Sequence, residues 1–285
     1  MRTSSSKTIL LIHGLWMSPA SWTLFHDFYE LRGFKVIAPP WPRMADDVGA
    51  IRRNPSALAG LGLAEVASHY GKIIRELDEP PILIGHSMGG LIVQMLLDRG
   101  LGSVGVAIDS ATPKGIYRLP RSVLKSSNAV LSNPLNFWRT VSLTFDQFRY
   151  AFAHVMPEKE ARDAYERFNV PGPGRPIFEV ALGNFNPWAV NRIHYRASDR
   201  APLLLIAGSD DRLVPPILNS INARLYRHSP ALVAYKEFPG RSHLIVAQKG
   251  WQEVADYALA WALNATANHT EATKCITLPQ TTTTS

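Results

Sequence analysis

Six short apolar runs set the rhythm of the chain. They are Lys7 to Ile12, Phe34 to Ala38, Pro81 to His86, Ser103 to Asp109, Leu203 to Ala207 and Leu232 to Phe238. Each is five to seven residues, mostly apolar and with little polar alternation, the pattern of a strand covered on both faces. Between them the apolar spacing changes to three and four. Trp22, Phe25, Phe28 and Tyr29 predict a helix over 19–32 that stops at Gly33, and further helices are predicted over 63–77, after Ser87, near 215–227 and from Trp251 to Leu263. Strands alternating with helices predict an α/β fold: a doubly wound, mostly parallel sheet of about six core strands.

The rhythm fails in three places. Pro39-Pro40-Trp41-Pro42 allows no regular ladder, and 46–60 is glycine-spaced and mixed, so both read as loop. From Pro113 to about Arg200 the apolar strand runs cease. There Phe137, Val141, Phe145, Phe148, Phe152 and Val155 recur at helical intervals, and 158–168 reads as another helix. This predicts a helical insertion over 113–200, between core segments 1–112 and 201–264. Residues 265–285 have little to bury and read as a disordered tail.

Composition narrows the class. A chain of 285 residues with 46% hydrophobic and 19% charged residues can bury a full core. The net charge of +7 is spread singly, with no basic run longer than Arg52-Arg53, which argues against a nucleic-acid partner. About 13 Lys/Arg against about 7 Asp/Glu fall in 113–200, a bias that fits charged helix faces serving solubility and, as the lesser reading, attraction of an acidic substrate. The single cysteine, Cys275, excludes an intramolecular disulfide and a cysteine-based metal site, and fits a reducing compartment. The first residues lack a signal-peptide core and no stretch has the length of a membrane span. The expectation is a cytoplasmic protein acting on a small molecule.

Chemistry concentrates where the third run ends. Gly85-His86-Ser87-Met88-Gly89 places a serine between an apolar strand and an amphipathic helix, the context of a nucleophile elbow. A serine hydroxyl is a weak nucleophile that needs an adjacent base, and imidazole titrates in the right range. The Met88 N–H follows the serine at a helix start, where the dipole favours negative charge. Gly208-Ser-Asp-Asp-Arg-Leu-Val-Pro215 and Gly240-Arg-Ser-His243 each lie just past a strand, where loops of a parallel sheet converge.

These motifs, together with Leu11-Ile-His-Gly14, resemble the α/β-hydrolase family over roughly 7–112 and 201–263, in its serine esterase and lipase-like branch with a helical cap. The resemblance implies a triad of Ser87, Asp211 and His243, with Asp109 at the end of an earlier strand where some relatives carry the acid. It implies a second oxyanion N–H at Leu15, and a brace rather than a chemical role for His13. It places a cap at 113–200. The candidate substrate-binding residues are Trp16, His86, Trp138, Phe145, Phe148, Trp188 and Leu213. The family's glycine-rich segment after the second strand is replaced by PPWPRMADD, and Trp41 reads as packing. The other histidines have no partners at ligand spacing, so no metal and no cofactor is expected. The implied activity is hydrolysis of carboxylic esters, lactones included, through an acyl-enzyme. Alternatives are carbon–carbon bond hydrolysis, acyl transfer or hydroxynitrile-lyase-like chemistry on the same triad, or a ligand receptor on a hydrolase fold.

Overall fold

A computed structural model describes residues 7–277, with side chains described through Ala267. Six strands form one sheet: β1 (Thr8–Ile12), β2 (Lys35–Ile37), β3 (Ile82–His86), β4 (Val104–Ile108), β7 (Leu203–Gly208) and β8 (Val233–Phe238). Their order across the sheet is β2-β1-β3-β4-β7-β8, and every neighbouring pair is parallel. The α/β expectation holds, and the serine follows the third strand as expected.

The apolar runs are continuous because both faces are covered. Leu10, Ile12 and Leu83 point into one core layer, while Ile9, Leu11, Ile82 and Ile84 point into the other. The first layer is closed by α3 (Leu63–Arg75), α4 (Met88–Leu97) and α9 (Pro216–Leu225), and the second by α1 (Thr23–Glu30) and α10 (Trp251–Thr277). After β1 the chain moves outward to β2 and then returns to the other side of β1. The order therefore reverses between β1 and β3, and the loops leaving these two strands face the crevice where such sheets bind ligands.

The segment between β4 and β7 carries α5 (Arg121–Leu131), α6 (Phe145–Phe152), α7 (Glu158–Phe168) and α8 (Arg175–Ala181). A two-residue antiparallel pair, β5 (Thr140–Val141) with β6 (Gly172–Pro173), ties its middle together.

Three expectations are corrected. The stripe from Phe137 to Val155 is not one helix. A 3-10 turn spans Pro134–Trp138, β5 follows, and α6 starts only at Phe145, because Thr144 and Gln147 form a reciprocal cap there. Residues 46–60 are not plain loop. Asp47 accepts from the Ala50 N–H at 2.8 Å and starts α2 (Val48–Arg53). The closing helix does not stop near Leu263. Ala255, Ala258, Ala262 and Ala265 are all buried on one face, and α10 runs to Thr277, through part of the expected tail. Residues 278–285 lie outside the described residues.

Candidate active site

The turn after β3 is built by what its neighbours forbid. A Cβ on Gly85 would sit 2.2 Å from the Gly89 carbonyl oxygen, and one on Gly89 would sit 2.0 Å from that of Ile12. Only glycines let strand, turn and helix approach so closely. Ser87 itself takes φ 56° and ψ −119°, a conformation costly for a residue with a side chain. Its N–H donates to Ile108 at 2.8 Å, and its carbonyl accepts from Gly90, Leu91 and Ala111, so the strain is held from both sides.

Three sequence-predicted residues meet there. His243, on the loop after β8, has Nε2 2.8 Å from Ser87 Oγ and Nδ1 2.5 Å from Asp211 Oδ2. Asp211, on the loop after β7, also accepts the Leu213 and Val214 N–H groups on Oδ1, at 2.7 and 2.8 Å. Both are buried, as is most of Ser87. Three donors suit an ionised Asp211, which fixes the His243 proton on Nδ1 and leaves Nε2 to accept from the serine. Asp210 turns away and accepts from Ser209.

Leu15 and Met88 both line the cavity beside Ser87, and among the described residues neither N–H has a hydrogen-bond acceptor. The loop carrying Leu15 is held by His13, whose Nδ1 meets the Gly14 carbonyl at 2.9 Å and whose ring stacks on Trp41. Trp41 is buried and donates to the His13 carbonyl. Burial lowers the His13 pKa to about 4 and holds that of His86 well below its ordinary value, so both rings are neutral.

A cavity of about 250 Å³ opens over Ser87. Trp16 and Leu213 line it. The remaining walls come from the loop after β4 and from α5 and α8: Ile116, Val123, Leu131, Ile177 and Val180 are apolar, and Arg118 is the cation among the lining residues. Asn184 pins that loop by accepting from Gly115 and donating to the Ile116 carbonyl. The spacing of Val123, Ser127 and Leu131 along α5 was the available sequence signal for this wall.

The cap aromatics are corrected. Trp138 and Trp188 do not line the cavity and are 65% and 85% exposed. Phe145 packs on Tyr165, and Phe148 is buried and stacked on Phe152. Phe152 in turn sets its edge on His243, and its carbonyl accepts from the Leu244 N–H, so this stack backs His243 instead of roofing the cavity. His86 also leaves the cavity. Its Nε2 donates to the His243 carbonyl at 2.7 Å.

An oxygen of Asp109 and ring nitrogens of His86 and His243 lie within 4.8 Å of one another. Both His243 nitrogens are already engaged by Ser87 and Asp211, so this trio is a poor metal cradle. Among the described residues no helix is long and apolar enough to cross a membrane.

A strained serine at a topological switch point, fed by a histidine and an aspartate from later loops, defines the architecture of a nucleophile-elbow hydrolase. The chain belongs to the alpha/beta hydrolase family, whose model matches residues 9–257. Solved structures of the same fold include a monoacylglycerol lipase of Paleococcus ferrophilus, 21% identical over 90% of this chain and 94% of that one, with a TM-score of 0.63. A pyrethroid hydrolase of Sphingobium faniae is 20% identical over 90% and 96%, with a TM-score of 0.62. Tomato methylketone synthase I, solved with 2-tridecanone, is 15% identical over 92% and 100%, with a TM-score of 0.66. A search of curated proteins found no match.

Proposed function

We propose that the protein is a serine hydrolase of carboxylic esters with apolar acyl groups, acting through Ser87, His243 and Asp211. The observation that carries this reading is the continuous hydrogen-bond chain from Asp211 through His243 to Ser87 Oγ, ending at the floor of an apolar cavity. Ser87 Oγ attacks the ester carbonyl as His243 Nε2 takes its proton. The imidazolium is held by Asp211, and the Leu15 and Met88 N–H groups receive the oxyanion. His243 then protonates the departing alcohol, and a water that it deprotonates clears the acyl group from Ser87.

The lining supports an ester whose acyl part is apolar and compact, since the cavity is at the small end of ligand pockets. No lysine lines the cavity among the described residues, which weighs against hydroxynitrile-lyase-like chemistry. The test is hydrolysis of p-nitrophenyl acetate, butyrate and decanoate by the wild type and Ser87→Ala. We expect turnover that rises from acetate to butyrate, and a loss of about 10⁴-fold or more in the variant. A folded wild type that turns over none of the three would sink ester hydrolysis and favour carbon–carbon cleavage, acyl transfer or a receptor.

A further inference from the structure

Asp109 has no place in the mechanism above, yet it is one of the most constrained residues of the site. It directly follows β4 with φ 44°, is fully buried, and accepts from the Gly208 N–H on Oδ1 at 2.7 Å. Its Oδ2 is buried without a donor. The carboxyl lies within hydrogen-bond reach of Asp211 and in the cluster with His86 and His243.

Two buried carboxylates in contact strongly disfavour double ionisation, because burial and the like charge of the neighbour both penalise the second negative charge. The hydrogen bonds decide which one keeps a proton. Asp211 receives three donors: His243 Nδ1 and the Leu213 and Val214 N–H groups. Asp109 receives one, from Gly208. His86 cannot supply another. Its partner at Nε2 is a carbonyl oxygen, which only accepts, so the single proton of the neutral ring is on Nε2 and its buried Nδ1 is an unsatisfied acceptor. The other titratable group in range, Tyr235, spends its hydroxyl on Glu237 and the Pro216 carbonyl. An ionised Asp109 would therefore be stranded, whereas a protonated one gains an acceptor.

We propose that Asp109 and Asp211 form a carboxylic acid–carboxylate pair in which Asp109 Oδ2–H donates to Asp211, making Asp109 a positioning residue for the His243–Asp211 hydrogen bond. The pair carries one negative charge in total. The Asp109 proton is a fourth donor on Asp211, restricting its orientation and keeping it from competing for the His243 proton. Burial and the Asp211 charge both push the Asp109 pKa well above the ordinary carboxylate range, in accord with this placement. The left-handed backbone suits aspartate or asparagine better than other side chains, so Asp109→Asn preserves both the turn and a neutral donor.

The kinetic arm of the test rests on the hydrolase reading, and the spectroscopic arms do not. Infrared difference spectra of the wild type against Asp109→Asn at pH 7 should contain the carbonyl stretch of a protonated carboxyl. The low-field proton resonance of His243 Nδ1–H should persist in Asp109→Asn and be shifted or lost in Asp109→Ala. With a p-nitrophenyl ester, Asp109→Ala should lower kcat by about 10- to 100-fold with KM little changed, and Asp109→Asn should recover most of it. Absence of the protonated-carboxyl band, or a loss in Asp109→Asn as large as in Asp211→Asn, would show Asp109 ionised and overturn the pair. An Asp109→Ala protein with wild-type kcat and resonance would reduce it to filler. If the wild type turns over no ester, the hydrolase reading fails, and band and resonance alone decide the pair.

Discussion

The carboxyl edge of the sheet and the segment that covers it use similar residues to different ends. At the sheet edge, position is imposed by backbone. Gly85 and Gly89 have no room for a Cβ, Ser87 and Asp109 sit at positive φ, and His243 is hydrogen-bonded at both ring nitrogens. In the cover, from α5 to α8, position is imposed by side-chain packing. Phe148 and Phe152 stack behind His243, while Trp138 and Trp188 stand in solvent. A site built on backbone constraint leaves marks in a short stretch of sequence. A wall built by packing does not, because which aromatic faces inward depends on partners far along the chain.

The largest expected effect tests the backbone side. Gly89→Ala places a methyl carbon 2.0 Å from the Ile12 carbonyl oxygen, in a sheet that cannot retreat. Such overpacking against main chain should destabilise by more than about 3 kcal/mol. We expect insoluble protein, or a melting temperature lowered by ten degrees or more. A well-folded Gly89→Ala protein would show that the elbow is looser than its contacts imply.

This contrast explains what was legible. The parallel sheet was readable because apolar runs without alternation have few other solutions, and the loops that carry Ser87, Asp211 and His243 because each follows such a run. The cap helices were only partly readable. The interval pattern from Phe137 to Val155 looks helical throughout, but Pro134 and the Thr144–Gln147 cap divide it, and that T-x-x-Q signal was present in the sequence. The cavity wall on α5 leaves a fainter mark, because Val123 and Leu131 are less conspicuous than tryptophans. The role of Asp109 was hidden for another reason. Its significance lies in which neighbours can donate to it, and that depends on tautomers and main-chain partners set only in the folded chain.

A middle-sized effect concerns acid. His13 is buried with its pKa at about 4, against 6.5 for an ordinary histidine. Between these values the unfolded chain takes a proton that the native ring refuses, so stability contributed by this site falls as pH drops from 6.5 to about 4. Its loss is at most about 3 kcal/mol over that window. Asp109 acts in the opposite sense, since a carboxyl kept protonated in the fold costs stability as pH rises above the ordinary carboxylate range. The clean measurement is therefore a difference. Denaturant midpoints of the wild type and His13→Gln, taken at half-unit steps of pH, should show the wild type losing stability relative to the variant from pH 6.5 downward. Parallel curves would mean that the native His13 takes up its proton as readily as the unfolded chain.

The smallest effects belong to the cover, and there the two kinds of residue can be set against each other. Trp188 is 85% exposed and outside the cavity, so Trp188→Ala should shift stability by less than about 0.5 kcal/mol and leave the acyl-chain profile alone. Val180 lines the cavity on α8, and Val180→Phe should fill part of its 250 Å³. Loss of room for a few methylenes is worth about 10- to 200-fold in specificity, so decanoate and butyrate should fall relative to acetate by about that order. The melting temperature should change little, because the new ring occupies open space. The comparison breaks if Trp188→Ala alters the chain-length profile while Val180→Phe does not. In that case the exposed aromatics close over the substrate during turnover, and packing in the resting fold is a poor guide to the wall that the acyl chain meets.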